Sequence, residues 1–415
     1  MIKNKKLLLP VSALALALMT SAAAADTKLN ALFMSQAAYS EEDVKAMVTT
    51  FEENNSGITV ELEFVPYEAL HDKIITSAAA GDSGYDVVLY DVVWPAEFAE
   101  GGFLTDLTSR VPKNVGNKIF DGAWTTVTYN DRIYGMPWIL DTKYLFFNRE
   151  LLAQAGIETP PTTWAEVMEQ SRILKDKGVV EYPLVWSWSQ SEAMICDYTT
   201  LVAANGGHFF KDGKPAFDQG GARAAIDYMV TSLNDGLTNP ASTEYFEEDV
   251  RRVFSNGEAA FAMNWTYMNA LVNDPTESKV AGKVGVMPAP GVEGISTASA
   301  VNGSMGLGIP SNSPHQDEAW ALISYLTSKN VQENYAKLSL PVWKDSYTVT
   351  SVTNGQEELV TAASKAIAVM SPRPVVPAYT EVSNILQKHL HSILLGQEST
   401  DDALADAAKR VSRIR

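Results

Sequence analysis

Cysteine is nearly absent. Cys196 is the only one in 415 residues, so neither an internal disulfide nor a multi-cysteine zinc site is available. Histidine is scarce as well, with five in the chain. His389 and His391 stand two apart in a helical pattern, where side chains do not face one another, and the others are isolated. No metal and no cofactor is expected. Basic residues are outnumbered, 32 Lys and Arg against 50 Asp and Glu, which argues against nucleic acid or an anionic membrane surface as a partner. Past the first 25 residues no run is long and apolar enough for a transmembrane helix. Enzyme signatures are missing too. There is no HExxH and no GxSxG, and Gly294-Ile295-Ser296-Thr297-Ala298 is a near miss without a strand–turn–helix around it. Gly306-Leu307-Gly308-Ile309-Pro310-Ser311 lacks the third glycine of a dinucleotide loop, and its proline breaks the helix that loop requires.

What is present begins with an address. Lys3, Lys5 and Lys6 precede a thirteen-residue apolar stretch, Leu7 to Met19, and Ser21 to Ala25 are small. Residues 1–25 read as a secretory signal peptide. With no cysteine near the cleavage site, no lipid anchor is expected there. A free exported protein would be lost from a cell with one membrane, so the periplasm is the expected compartment. Removal of residues 1–25 leaves 29 basic against 50 acidic residues, a net charge of −21. The remaining chain of about 390 residues is long enough for two domains, whose cores must supply the stability that disulfides do not.

The chain is organised around Tyr85 to Thr108. Asp86 to Tyr90 is a short run of β-branched and aromatic residues, as in a strand buried on both faces. Asp91, Trp94 and Pro95 follow, then a short helix from Ala96 to Glu100 closed by Gly101-Gly102. Ligands of open α/β sheets sit outside the carboxyl ends of the strands, so Asp91 and Trp94 are placed for recognition. An indole covers C–H faces of a sugar while a carboxylate accepts from its hydroxyls. The alternative is that Asp91 caps the helix and Trp94 packs beneath it. Upstream, strands at Lys28–Met34 and Ile58–Val65 alternate with helices opening at Ser40 (a capping box with Asp43) and spanning Tyr67–Ala80. This β-α-β-α-β order implies a parallel, doubly wound lobe. Further on, a strand is expected at Tyr144–Asn148, a second capping box at Thr163–Glu166, and a helix at Glu192–Ala204.

Several stretches then fall into one pattern. Tyr134-Gly135-Met136-Pro137, Asp141-Thr142 and Leu145-Phe146-Phe147-Asn148-Arg149-Glu150-Leu151-Leu152 resemble a signature of family 1 extracellular solute-binding proteins, the maltose/trehalose-binding type receptors of ABC importers. Ala155-Gly156-Ile157 with Pro160-Pro161-Thr162-Thr163-Trp164, Phe254 to Phe261, and Lys283 to Gly291 resemble further segments of that family in the same order. Phe147 departs from the tyrosine usual there, and Ser383 stands about where some maltose receptors carry a stacking indole.

The resemblance implies an α/β, two-lobed periplasmic-binding-protein fold of type II, like maltose-binding protein. A hinge joins the lobes, and ligand is held between them. It places the first lobe at 26–138 and 304–341 and the second at 139–303 and 342–415. It also implies that Asp91 and Asp141 accept from sugar hydroxyls, that Trp265 stacks, that the backbone of Gly303 approaches ligand, and that Arg373 donates in a planar fork. Ser35 and Gln36 are a weaker carry-over, a polar turn whose relatives line the cleft. Arg373 and this turn leave room for an anionic group. Asp141 could instead cap a turn. Trp138, Trp186 and Trp188 flank strand ends; Trp186 and Trp188 share a face, which is either cleft or core, and Trp188 is taken as a cleft residue. Glu192 either caps its helix or touches ligand. The expected function is capture of a carbohydrate (disaccharide, glycoside or related sugar or polyol) by a monomer and delivery to an inner-membrane ABC permease. The rival reading is a secreted glycosidase, since carboxylates with aromatics also describe a hydrolytic cleft.

Overall fold

The computed structural model describes residues 27–414 apart from 36–37 and 82–83, so the expected signal peptide and Gln36 lie outside the described residues. Two sheets carry the chain. The first is built from β1 (Thr27–Met34), α1 (Glu41–Asn54), β2 (Ile58–Val65), α2 (Tyr67–Ala79), β3 (Val87–Asp91) and α3 (Pro95–Glu100). Ser40 and Asp43 form the capping box that starts α1, and Val44, Met47, Val48 and Phe51 bury its apolar stripe. All five residues of β3 are buried, as expected of a strand covered on both faces. β2, β1 and β3 run parallel.

The chain then leaves by β4 (Met136–Ile139) and enters the second sheet at β5 (Tyr144–Asn148). That sheet adds β6 (Leu184–Val185), β7 (Phe261–Asn264), β8 (Val284–Val292), β9 (Ser296–Val301) and, much later, β11 (Met370–Ser371). Between β9 and β11 the chain returns to the first sheet as β10 (Met305–Gly308), which lies antiparallel between β3 and β4. The strand orders are β2-β1-β3-β10-β4 and β11-β9-β8-β5-β7-β6. The glycines of β10, which sequence pattern set aside as a failed nucleotide loop, pack flat against Tyr90. A Cβ on Gly308 would stand 2.8 Å from that ring.

Each sheet has its own apolar core. One gathers Phe33, Val88, Leu89, Trp138, Leu307 and Leu322. The other side of the molecule packs Leu145, Trp164, Trp186, Met229 and Leu390 in one cluster, and Phe146, Val286 and Ala363 in another. The chain passes between the sheets at Leu140–Lys143 and Asn302–Ser304, segments of only a few residues each. Val342 and Tyr379 pack in the first core, although both fall in the second lobe by the expected boundaries. The chain therefore crosses again after Val342, whereas Tyr379 opens a helix whose other buried residues belong to the second side and reaches across only with its side chain. Helices α4 (Glu192–Ala204) and α5 (Glu247–Ser255) pack on the second sheet, α6 (Tyr379–Leu394) packs on α4, and all three point residues back toward the crossings.

Candidate functional site

Asp91 is the last residue of β3, at the carboxyl end of the first sheet. Its Oδ1 accepts from the Val93 amide at 3.1 Å and from Arg373 Nη2 at 2.7 Å, and its Oδ2 from the Tyr67 hydroxyl at 3.1 Å. Asp91 thus does hold the turn before α3, and it also faces the space between the sheets. Burial raises its carboxyl above the usual carboxylate range, with Arg373 offsetting part of that.

Arg373 follows β11 and is 2% exposed. Nη1 donates to Glu192 at 2.8 Å, while Nη2 serves both Asp91 and the Asn302 carbonyl, the latter at 3.3 Å. Glu192, the first residue of α4, also accepts from the hydroxyls of Tyr379 and Ser383. One guanidinium therefore ties the end of the first sheet, a crossing segment and a helix of the second side. The sequence leaves room for a ligand's anionic group at Arg373; its fork instead engages Asp91, which is buried, and Glu192, which is partly buried.

Asp141 and Gly303 sit on the two short crossings and are joined by a hydrogen bond from the Gly303 amide to the Asp141 carbonyl, 3.0 Å long. Asp141 Oδ1 accepts from the Thr142 amide at 2.8 Å, the Thr266 amide at 3.3 Å and the Thr266 hydroxyl at 2.6 Å. No cation pairs with it among the described residues, and burial pushes it up to about 7. Trp265, after β7, lies over Gly303: a Cβ there would stand 2.3 Å from its six-membered ring. The missing side chain thus makes room for the indole, a reason different from the close ligand approach expected. Gly303→Ala should drive the indole from its place and lower ligand affinity at least tenfold. Titration calorimetry with the unliganded melting point as control checks this, and unchanged affinity would show the ring position to be immaterial.

Trp265 is held from two further sides. Its Nε1 donates to Glu247 at 3.1 Å, and Lys143 Nζ lies 5.3 Å from the ring centroid. Lys143 is fully buried and bonds Asp197 at 2.8 Å, Ser187 at 2.7 Å and the Ala193 carbonyl at 3.2 Å. Burial would lower its pKa, but Asp197 and Glu247 outweigh this and hold the ammonium above its ordinary value.

These groups surround a cavity of about 720 Å³, within the range of small-molecule sites. Ser35, Asp91, Asp141, Trp265, Gly303 and Arg373 all line it. Two expected residues do not. Trp94 is buried in an aromatic stack with Tyr67, His71 and Phe98, its ring 5.6 Å from that of Tyr67. The residue beside the cavity is Tyr67, which covers Trp94. Trp188 is fully buried and stacks on Trp186 with centroids 5.0 Å apart. Their shared face is core, as is Trp138, packed on Phe33 and Tyr39. Sequence reasoning missed Tyr39, Tyr67, Phe246 and Glu247, which also line the cavity. Phe246 and Glu247 open α5, and an aromatic before an acidic helix start was the available signal. Among the described residues no group of three or more His, Cys, Asp or Glu is placed to hold a metal ion, and no helix is long and apolar enough to cross a membrane.

Comparison with known proteins agrees with this geometry. The structure of T. maritima MalE3 with maltose bound is 33% identical and superposes with a TM-score of 0.86, covering 93% of this chain and 99% of that one. A solute-binding protein of an ABC transporter from Thermotoga lettingae, solved with α-D-tagatose, is 26% identical with a TM-score of 0.82, covering 93% and 99%. A probable ABC transporter-binding protein of Deinococcus radiodurans is 26% identical over 379 residues, 87% of either chain. The fold is the two-lobed α/β fold of periplasmic binding proteins. Residues 37–333 match the family model described as bacterial extracellular solute-binding protein. The chain belongs to that family, whose members bind solutes and are not enzymes.

Proposed function

We propose that this protein captures a carbohydrate between its lobes and delivers it to an inner-membrane ABC permease. The observation that carries this is the Trp265 face beside Asp91 and Asp141, at the segments where the chain crosses between sheets. An indole covers the C–H face of a sugar ring while the carboxylates accept from its hydroxyls. Maltose and tagatose in the related structures, and the transporter named for the Deinococcus relative, support the same reading. Ser35, Asp91, Asp141, Trp265, Gly303 and Arg373 are the proposed ligand residues, Arg373 acting by holding Asp91 and Glu192. Tyr67 and Glu247 join them in place of Trp94 and Trp188.

The lobes follow the expected division, 26–138 with 304–341 and 139–303 with 342–415, softened near Val342 and Tyr379. The mechanism is hinge closure: a ligand touching both lobes favours the closed state by its differential affinity. The mature protein is a periplasmic monomer that begins at about Asp26. The glycosidase reading has no support, since the family is one of binding proteins.

A thermal-shift panel of maltose, tagatose, hexoses and polyols tests this. A true ligand at 100 times its Kd adds about 2.7 kcal/mol and is recovered chemically unchanged. A panel without any stabilising carbohydrate, or consumption of the bound glycoside, would contradict it.

A further inference from the structure

The charges around the cavity are lopsided. Seven carboxylates and two arginines line it, and the buried arginine is already engaged. Arg373 is held by Asp91 and Glu192 at 2.7 and 2.8 Å. Arg252 lies 3.7 Å from Glu248 and 3.6 Å from Asp249. Lys143, behind the indole, is paired with Asp197 and stands 3.3 Å from Glu247. Among the described residues that line the cavity no buried cation is left over for a ligand; Arg252, 64% exposed, stands at the solvent side.

Asp141 is the opposite case. It is 7% exposed, yet all three donors it meets converge on Oδ1. No described residue donates to Oδ2, and Asp141 lines the cavity. Oδ2 is not fully buried but opens onto the cavity, where a bound ligand is placed to donate in place of water. A hydroxyl would satisfy it. An ammonium group would satisfy it and supply the missing countercharge. A carboxylate or phosphate would meet an acceptor where it needs a donor, in a desolvated space already negative.

We propose that the cleft takes sugars that are uncharged or carry an ammonium group and rejects sugar acids, with Asp141 Oδ2 reading the ligand's donor. This rests on the carbohydrate reading and specifies its ligand class. It replaces the anionic group for which Arg373 and the Ser35-Gln36 turn leave room in the sequence. The ionisation of Asp141 agrees with it: held near 7 by burial, the carboxyl is readily charged when a donor or a cation arrives.

Matched charge series provide the test: D-glucose, D-glucosamine and D-glucuronate; the galactose counterparts; and maltose with maltobionate. Affinities are measured by titration calorimetry on wild type and Asp141→Asn at pH 7.5 and low salt. In every series whose neutral member binds, the acid should bind at least tenfold more weakly than the neutral parent. The amino sugar should bind no more weakly than that parent. In Asp141→Asn the neutral and amino members should weaken, and the gap to the acid should shrink to less than threefold. An acid that binds wild type as tightly as its parent overturns the proposal and leaves the carbohydrate reading standing. So does a gap that Asp141→Asn leaves unchanged, because the discrimination is then steric. Failure of every neutral member to bind removes the carbohydrate reading and this proposal with it.

Discussion

Arg373→Ala should cost the unliganded protein about 3–5 kcal/mol, the range for removing one partner of a buried ion network. The guanidinium is 2% exposed and lies between Asp91 and Glu192. Its loss leaves two largely buried carboxylates, 7% and 12% exposed, facing one another at the cavity wall. Glu192 retains Tyr379 and Ser383, and Asp91 retains Tyr67, but neither retains a countercharge. Urea denaturation measures the loss. A triple variant separates charge from packing: Arg373→Met with Asp91→Asn and Glu192→Gln removes all three charges and should regain most of the stability. It should not regain ligand binding, because Asp91 is then no longer a strong acceptor. A loss below 1 kcal/mol in Arg373→Ala would mean that the network contributes little to the fold.

Asp141→Asn should do the reverse, stabilising the unliganded protein while weakening ligand binding at least tenfold. The folded-state pKa of Asp141 is about 7, against an unfolded value near ~3.9. Between these values the folded protein holds a proton that the unfolded chain has released. Stability therefore falls as pH rises through this window, by up to ~1.4 kcal/mol per pH unit, and the deficit is complete above pH 7. Over about three units this is on the order of 4 kcal/mol. The groups whose titration feels Asp141 are the phenols of Tyr144 and Tyr347, both raised by burial and uncharged throughout the window. An asparagine oxygen can accept the three donors now on Oδ1 and carries no charge to desolvate. The variant should match wild type near pH 4 and exceed it by a few kcal/mol at pH 8. Denaturation curves at the two pH values check this, and equal stability at pH 8 would show that the charge is well solvated. Stability given up at a binding site is a familiar trade.

Much of the first side of the molecule was legible because its signals are local. An apolar run at Val87–Tyr90, a capping box at Ser40 and alternation at Ile58–Val65 each act over a few residues. Asp91 was placed for recognition by its position after a buried strand, Asp141 and Arg373 by the family pattern, and all three line the cavity. What they do there did not. Arg373 meets Asp91 across 282 residues of sequence, and no spacing rule announces such a pairing. Lys143 was overlooked for the same reason, since its partner Asp197 is 54 residues away. The tryptophans show a second limit. Alternation correctly puts Trp186 and Trp188 on one face, but whether that face is cleft or core depends on Trp164 and Tyr228, which pack against Trp186. Trp94 was misplaced because Tyr67, from the neighbouring helix, covers it. β10 was missed because its glycines carry no β-propensity; the bulk at that place comes from Tyr90.

Small-angle scattering of the mature protein, titrated with the strongest ligand of the carbohydrate panel, tests the central claim most directly. A ligand bound between the two sheets should produce a saturable compaction at one ligand per chain, and Trp265→Ala should lose both the compaction and the binding while melting near wild type without ligand. Tight binding that leaves the scattering unchanged, or that survives Trp265→Ala intact, would place the ligand elsewhere and contradict the account.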